Sequence, residues 1–350
     1  MKIVILSKYN EQGSSSRYRF YNFSPYFETN GIAYEFKPLL PESYVAHLYQ
    51  GKRFVVFYQQ IIAIIKRLFF LMFFLKKCDL ILIEKELLPN VPYFIEKILL
   101  GKKAYALDFD DYTATDYKSH PVKKLFLFHK IDHLAQKAKF VTVGNKWYFD
   151  EIKSNNLCYL PTVVSLAKYR DIKKTTQPYD IQIVWIGSPS TSKYLAIVKN
   201  VLEKLSQKYP LVVNVIGGHF DSKKIKFNLI KWESETEIMR LLDSDIGIMP
   251  LEDTIWEKGK CGFKLIQYMA CGLPVVASAS PANFEIIESG ISGYIAQSES
   301  DWYDFLEMLI VDQNRRASFG LAGRKRVEEN YSYEVWGDRY SQIIKSSLPL

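Results

Sequence analysis

The stretch KCGFKLIQYMACGLPVVAS, residues 260–278, decides how the chain is read. Two glycines, two lysines and one proline interrupt an otherwise apolar segment. Gly262 and Lys264 stand at the mouth of a helix, Gly272 and Pro274 stop it, and the β-branched run that follows reads as a buried strand. Glycine lets the backbone come close to a ligand, and a helix N-terminus offers N–H groups and a favourable field to negative charge. The segment therefore asks for an anion.

Working outward, short β-branched runs alternate with longer amphipathic stretches. KIVIL, DLILIE, KAYALDFDD and KFVTVGN lie in the first half, and IQIVWIG, LVVNVIG, DIGIMPL and LPVVAS in the second. Such alternation predicts parallel sheets with crossover helices. A polar, basic stretch containing KKTTQP separates the two groups. The expected organisation is an α/β chain of two Rossmann-like, doubly wound domains facing across a cleft, where sheets of this kind bind ligands. Its parts are a first domain over residues 1–164, a linker over 165–180 and a second domain over 181–332, with a terminal helix, 333–350, packing back on the first domain. A chain of 350 residues suits about two domains. Its net charge of +8 favours anionic partners, or serves only solubility.

The segment IVWIGSPSTSKYLAIVKNVLEKL, residues 183–205, runs from a buried strand through Gly187 and a hydroxyl-rich loop at Ser188 to Lys193 and a helix. Backbone amides and hydroxyls in such a turn can cradle phosphate oxygens, although Ser-rich turns are also ordinary helix caps. Downstream the order is acidic helix, strand, Pro250, irregular loop, Gly262, helix, Gly272, Pro274 and strand. This order resembles the donor-nucleotide domain of glycosyltransferase family 4, retaining sugar transferases of the GT-B architecture. Gly262, Met269, Ala270, Gly272, Pro274, Val275 and Val276 stand at matching places. The resemblance is strong from Ile183 to Leu309 and loose before it.

What the resemblance implies is a glycosyltransferase that moves a sugar from a nucleotide-diphosphate sugar to a glycan or lipid-linked acceptor, with retention, in cell-surface polysaccharide synthesis. The donor-binding residues it implies are Gly187, Ser188, Lys193, Lys260, Gly262, Phe263, Lys264, Leu265 and Gln267. Lysines and helix termini would carry the charge of the leaving diphosphate, so neither a metal nor another cofactor is expected. The chain departs from the family where two glutamates usually stand, with Gly259 at the first and Gln267 at the second, and Ser188 occupies the place of the usual phosphate arginine. Gln267 can still accept through its carbonyl, and Glu257 lies close to Gly259 in sequence. These departures support an alternative, a noncatalytic relative that binds a nucleotide sugar or a partner protein.

In the first half, DFDD places Asp108 and Asp110 on one face of a strand end, with Asp111 beside them. They are read as the catalytic carboxylates, touching sugar or acceptor, with a shared cation as the other reading. Arg17 and Arg19, in SSSRYRFYN, are read as acceptor-binding through planar bidentate donors, or else as structural arginines. His120, His129 and His133 have no evident chemical partner.

The stretch RFVVFYQQIIAIIKRLFFLMFFLKK, residues 53–77, is broken by Lys66 and Arg67 and is not expected to span a bilayer. Phe54, Tyr58, Ile61, Ile65, Leu68 and Met72 form one helical face that serves either the core or an anionic membrane surface. Four cysteines without metal spacing read as reduced thiols. The location expected is cytoplasmic, peripheral on the inner face of the plasma membrane. No recognition helix or zinc spacing accompanies the positive charge, so nucleic acid is not an expected partner. An epimerase or phosphorylase would keep the fold and change the chemistry, but neither a pyridoxal lysine nor a second anion site is recognisable.

Overall fold

The structure, a computed structural model, describes residues 1–73, 78–170 and 179–348. The chain divides into two compact units, Met1–Thr162 with Trp336–Leu350, and Val163–Val335.

The first unit holds a six-stranded sheet in the order β2-β1-β3-β4-β5-β6. Its strands are β1 (Lys2–Leu6), β2 (Ala33–Phe36), β3 (Leu80–Glu84), β4 (Tyr105–Phe109), β5 (Val141–Val143) and β6 (Leu157–Tyr159). All pairings are parallel, with Ile3 opposite Leu80 and Glu84 opposite Asp108. Parallel strands covered on both faces read as continuous apolar runs, and LILIE in β3 is buried at all five positions. The terminal helix, Tyr333–Ser346, belongs to this unit from Trp336 onward, where Tyr340 packs edge-on against Phe23 and Phe27.

The second unit repeats the plan in the order β12-β11-β10-β7-β8-β9. Here β7 is Ile181–Ile186, β8 Leu211–Ile216, β9 Lys226–Ile230, β10 Ile246–Met249, β11 Val275–Ser278 and β12 Gly293–Ala296, all parallel. Leu166 and Tyr169 are buried in this unit's core, so the chain read as a linker from residue 165 is already structured there. Positions 171–178 of that segment lie outside the described residues.

The opening stretch forms the helix Phe263–Ala270, a turn, and β11. Gly272 adopts φ +72°, which ends the helix without steric cost. The helix Gln313–Asn330 crosses this turn at Gly320, where an added Cβ would sit 2.0 Å from the Gly272 carbonyl oxygen. The backbones meet because neither residue has a side chain.

Two site readings are corrected inside the first unit. Arg19 and Asp108 are both fully buried and face each other. Arg19 donates to Asp108 from Nε at 2.9 Å and from Nη2 at 2.5 Å, and from Nη1 to the Leu160 carbonyl at 2.6 Å. The Thr142 hydroxyl donates to Asp108 Oδ1 at 2.5 Å. A carboxylate so fully engaged is neither a catalytic group nor a metal ligand, and its arginine has no fork left for an acceptor. The pair ties the helix Ser14–Arg19 to β4 and to the end of β6. Breaking a buried pair strands a charge, so Asp108→Asn is expected to lower the unfolding free energy by about 3 to 5 kcal/mol in urea denaturation.

Candidate functional site

In the second unit the strand order reverses direction between β7 and β10, the place where a doubly wound sheet opens a crevice at its carboxyl ends. The loop after β7 carries Gly187 and Ser188, and the segment after β10 leads to Gly262. Gly187 is required by packing, since a Cβ there would lie 2.4 Å from the Trp185 ring. The Ser188 hydroxyl bonds to those of Ser190 at 2.9 Å and Thr191 at 3.3 Å. Lys193 falls in a 3-10 run, Pro189–Leu195, ahead of the helix Ala196–Ser206. It is exposed and paired with Glu252, from the β10 side, at 2.9 Å. That pair spans the switch point, and an exposed pair of this kind is weak enough for an incoming anion to displace.

Gly262 has φ +64° and is the N-cap of Phe263–Ala270, and a Cβ there would meet Ile286 at 2.3 Å. The first turn of this helix has N–H groups without intrahelical acceptors. Lys264 stands in that turn, half-buried, with Nζ 4.6 Å from the centre of the Trp185 ring. Burial, helped by the charge of Lys260, pushes its ammonium down to about 7. No carboxylate pairs with Lys264 among the described residues, so its cation is stabilised only by an aromatic face. Lys260 lies over Trp256 at 5.7 Å.

Leu265 is corrected: its side chain is in the core and its N–H bonds to the Gly262 carbonyl at 2.9 Å, so it shapes the turn and has nothing to offer a ligand. Phe263 is half-buried at the helix start and packs against the core. Gln267 is buried and donates from Nε2 to Glu237 at 2.5 Å, and the Trp232 indole donates to the other Glu237 oxygen at 2.5 Å. Gln267 Oε1 thus keeps its acceptor capacity. Glu257, close to Gly259 in sequence, sits in the helical turn Ile255–Lys258. Burial opposes its charge, but hydrogen bonds from Thr254 and Tyr194 outweigh this and hold its carboxyl below the ordinary value.

In the first unit, Asp110 and Asp111 both turn to Lys85, at 2.9 and 3.0 Å. Burial opposes the charge of Asp110, yet Lys85 and Ser15 hold its carboxyl well below the usual range. Lys85 has φ +63° and is flanked by Glu84 and Glu86. Glu84 accepts from the Lys8 N–H at 2.7 Å and from the Ser15 and Ser16 hydroxyls at 2.9 and 2.5 Å. Arg17 is half-buried and lies over Tyr18 at 5.0 Å. Sequence reading missed the Glu84-Lys85-Glu86 triplet, although three alternating charges beginning at the last residue of the strand LILIE were visible there. Among the described residues no group of three His, Cys, Asp or Glu side chains could hold a metal.

Two parallel sheets, each with crossover helices and a switch point, give the chain the GT-B fold. Residues 180–312, within the second unit, match the family model described as "Glycosyl transferases group 1". A GDP-mannose-dependent phosphatidylinositol monomannoside mannosyltransferase of Corynebacterium glutamicum is 32% identical over 129 residues, 36% of this chain and 33% of that protein. Human alpha-1,3/1,6-mannosyltransferase ALG2 is 25% identical over 224 residues, 63% of this chain and 48% of that protein. The chain thus spans less than half the length of either relative. Among solved structures, Anabaena HepE in complex with UDP and glucose has a TM-score of 0.66 at 13% identity, covering 99% of this chain and 100% of that one. Sucrose-phosphate synthase from Thermosynechococcus elongatus has a TM-score of 0.70 at 11% identity, covering 99% and 98%. These likenesses establish the fold.

Lys264 has a lower pKa folded than unfolded, so between about pH 7 and the ordinary lysine value the unfolded chain binds the extra proton. Stability relative to Lys264→Met should therefore rise as pH moves from about 7 toward 10, by urea denaturation across that range; a flat difference would show that Lys264 is not buried as a strained cation.

Proposed function

We propose that the chain is a glycosyltransferase that binds a nucleotide-diphosphate sugar at the switch point of the second unit and passes the sugar to a glycan or lipid-linked acceptor. The observation that carries this reading is Lys264: a half-buried lysine with no carboxylate partner, in the first turn of a glycine-capped helix, inside the segment that matches the family model. A cation placed so is supplied with its counter-ion by a diphosphate. Transfer leaves a diphosphate whose growing charge must be met by preorganised donors. Lys264, Lys193 released from Glu252, and the first-turn N–H groups provide them without a metal. A relative named for its dependence on GDP-mannose and a structural neighbour holding UDP and glucose support a nucleotide-linked donor. The family resemblance carries the retaining outcome and the role in cell-surface polysaccharide synthesis.

A second reading, a noncatalytic relative, is favoured by Gly259, which has no side chain to reach a sugar, and by Glu257, whose carboxylate is engaged by Tyr194 and Thr254.

The chain is further read as acting in the cytoplasm, on the inner face of the plasma membrane. The helix Arg53–Phe73 is long and apolar enough to cross a bilayer, yet it buries Ala63, Arg67 and Leu71 against the first unit. Of the face read as core or membrane-binding, Phe54 is 92% exposed and Ile65 and Met72 are each 59% exposed. A helix with that outer face and with Lys52, Arg53 and Lys66 exposed suits insertion into an anionic interface. Positions 74–77 of the stretch read from the sequence lie outside the described residues.

Calorimetric titration with UDP, GDP and their sugar conjugates should give one tight ligand, weakened at least about tenfold by combined Lys193→Ala and Lys264→Ala. Its absence would end the donor reading, and binding without nucleotide release across an acceptor panel would select the noncatalytic one. Flotation with vesicles containing anionic lipid should carry the chain upward, and Phe54→Ser with Ile65→Ser and Met72→Ser should abolish this; equal flotation with neutral vesicles would refute the charge contribution.

A further inference from the structure

The first sheet has its own switch point, between β1 and β3, and a cavity of about 210 Å³ lies there. Its wall includes Lys8 after β1, Glu84, Lys85 and Glu86 at and after β3, Thr113 after β4, and Arg67 from the helix Arg53–Phe73. Three of these groups are already satisfied. Glu84 accepts from Ser15, Ser16 and the Lys8 amide, and Lys85 is held by Asp110 and Asp111. Glu86 is bonded to Tyr117 at 2.7 Å and to Lys130 at 2.6 Å.

Three groups are not. Arg67 is only 5% exposed and donates from Nη2 alone, to the carbonyls of Ser7 at 3.1 Å and Lys37 at 2.8 Å. Its Nε and Nη1 have no acceptor, and no carboxylate lies within ion-pair distance, among the described residues, although the charge of the nearby Glu84 favours its cation. The Thr113 hydroxyl is buried without a hydrogen-bond partner. Lys8 lies over Tyr9 at 5.3 Å and forms no ion pair among the described residues. Burial pushes Arg67 down to about 10, which leaves it charged at neutral pH. A buried charge whose N–H groups lack acceptors is costly unless a ligand supplies both. The volume is below that of a whole-ligand pocket and suits a substituent, with the remainder of the ligand outside.

We propose that this cavity is an acceptor subsite for an oxyanion, a phosphate or a carboxylate, gripped by Arg67, Thr113 and Lys8. It rests on the reading of the chain as a sugar transferase and names the chemistry of the acceptor. The Arg67 N–H groups left over, on Nε and Nη1, lie on different edges of the guanidinium, so each offers a single charge-assisted donor to an anion oxygen. Thr113 donates to the same group, and Lys8 adds charge.

The test is calorimetric titration of the full chain with glucose 1-phosphate, glucuronate and glucose, with UDP and GDP titrated separately. The expected result is binding of at least one anionic probe and not of glucose, weakened about tenfold or more by Arg67→Met and severalfold by Thr113→Val. UDP or GDP affinity should be unchanged in both variants. Preference for glucose 1-phosphate identifies a phosphorylated acceptor, and preference for glucuronate an acidic sugar. Thr113→Val removes an unpartnered buried hydroxyl, so it should fold as the parent does and decides the matter if Arg67→Met does not fold. Equal behaviour of glucose and both anions, or anion binding unmoved by these substitutions, overturns the subsite. Failure of the parent chain to bind either UDP or GDP, titrated separately, would instead count against the transferase reading while leaving the subsite to its own titration.

Discussion

A parallel strand buried on both faces can present polar chemistry only at its ends, and both units are built around that constraint. β3 and β7 are apolar almost throughout, and the residues that follow them, Lys85 and Ser188, begin the polar lining at once. Each sheet reverses its strand order beside its first strand, so the loops after β1 and β3, and after β7 and β10, diverge to opposite faces and leave space between them. The glycines follow from the same crowding. Gly187 clears Trp185, Gly262 clears Ile286, and in each case a neighbouring side chain occupies the room that a Cβ would have taken.

How the buried cations are neutralised separates structure from function. Arg19 has Asp108, Lys85 has Asp110 and Asp111, and Lys130 has Glu86 and Glu96 at 2.6 and 2.8 Å. Within the last group burial raises the Glu96 carboxyl to about 7 although Lys130 opposes this, so the ion pair is held at a cost. Arg67 and Lys264 have carbonyls or an aromatic ring where the others have carboxylates. Both stand at switch points. The structural cations are thus held by carboxylates at bonding distance, whereas these two are not, Glu84 acting on Arg67 only through space.

The alternation of β-branched runs and amphipathic stretches was enough to read two parallel sheets, because strand period and crossover length are local properties. Gly187, Gly262 and Lys264 were legible for a related reason: a strand, a glycine and a helix start lie within a few residues. The Arg19–Asp108 pair was not, since 89 residues separate its members and only the register of β4 against its neighbours turns Asp108 inward. The polar strand end DFDD therefore looked like a reactive one. Arg67 was hidden for another reason. In sequence it interrupts a greasy helix and reads as a solvated charge, whereas the helix turns Arg67 inward and leaves Phe54 and Ile65 outside.

The departures from the family pattern carry a physical argument about the donor side. The family resemblance places a carboxylate at position 267, and here an amide stands there, yet the charge has not left the neighbourhood: Glu237 lies 2.5 Å from Gln267 Nε2 and is also bonded to Trp232. An amide between a carboxylate and a ligand is polarised, its N–H spent on the acid and its carbonyl left as the better acceptor. The exchange of Glu for Gln therefore moves the negative charge one group outward and keeps a hydrogen-bond acceptor in place. Position 259 has no such compensation, because Glu257 is turned toward Tyr194 and Thr254. The two departures are thus unequal, and whether sugar transfer survives depends on the glycine, not on the glutamine.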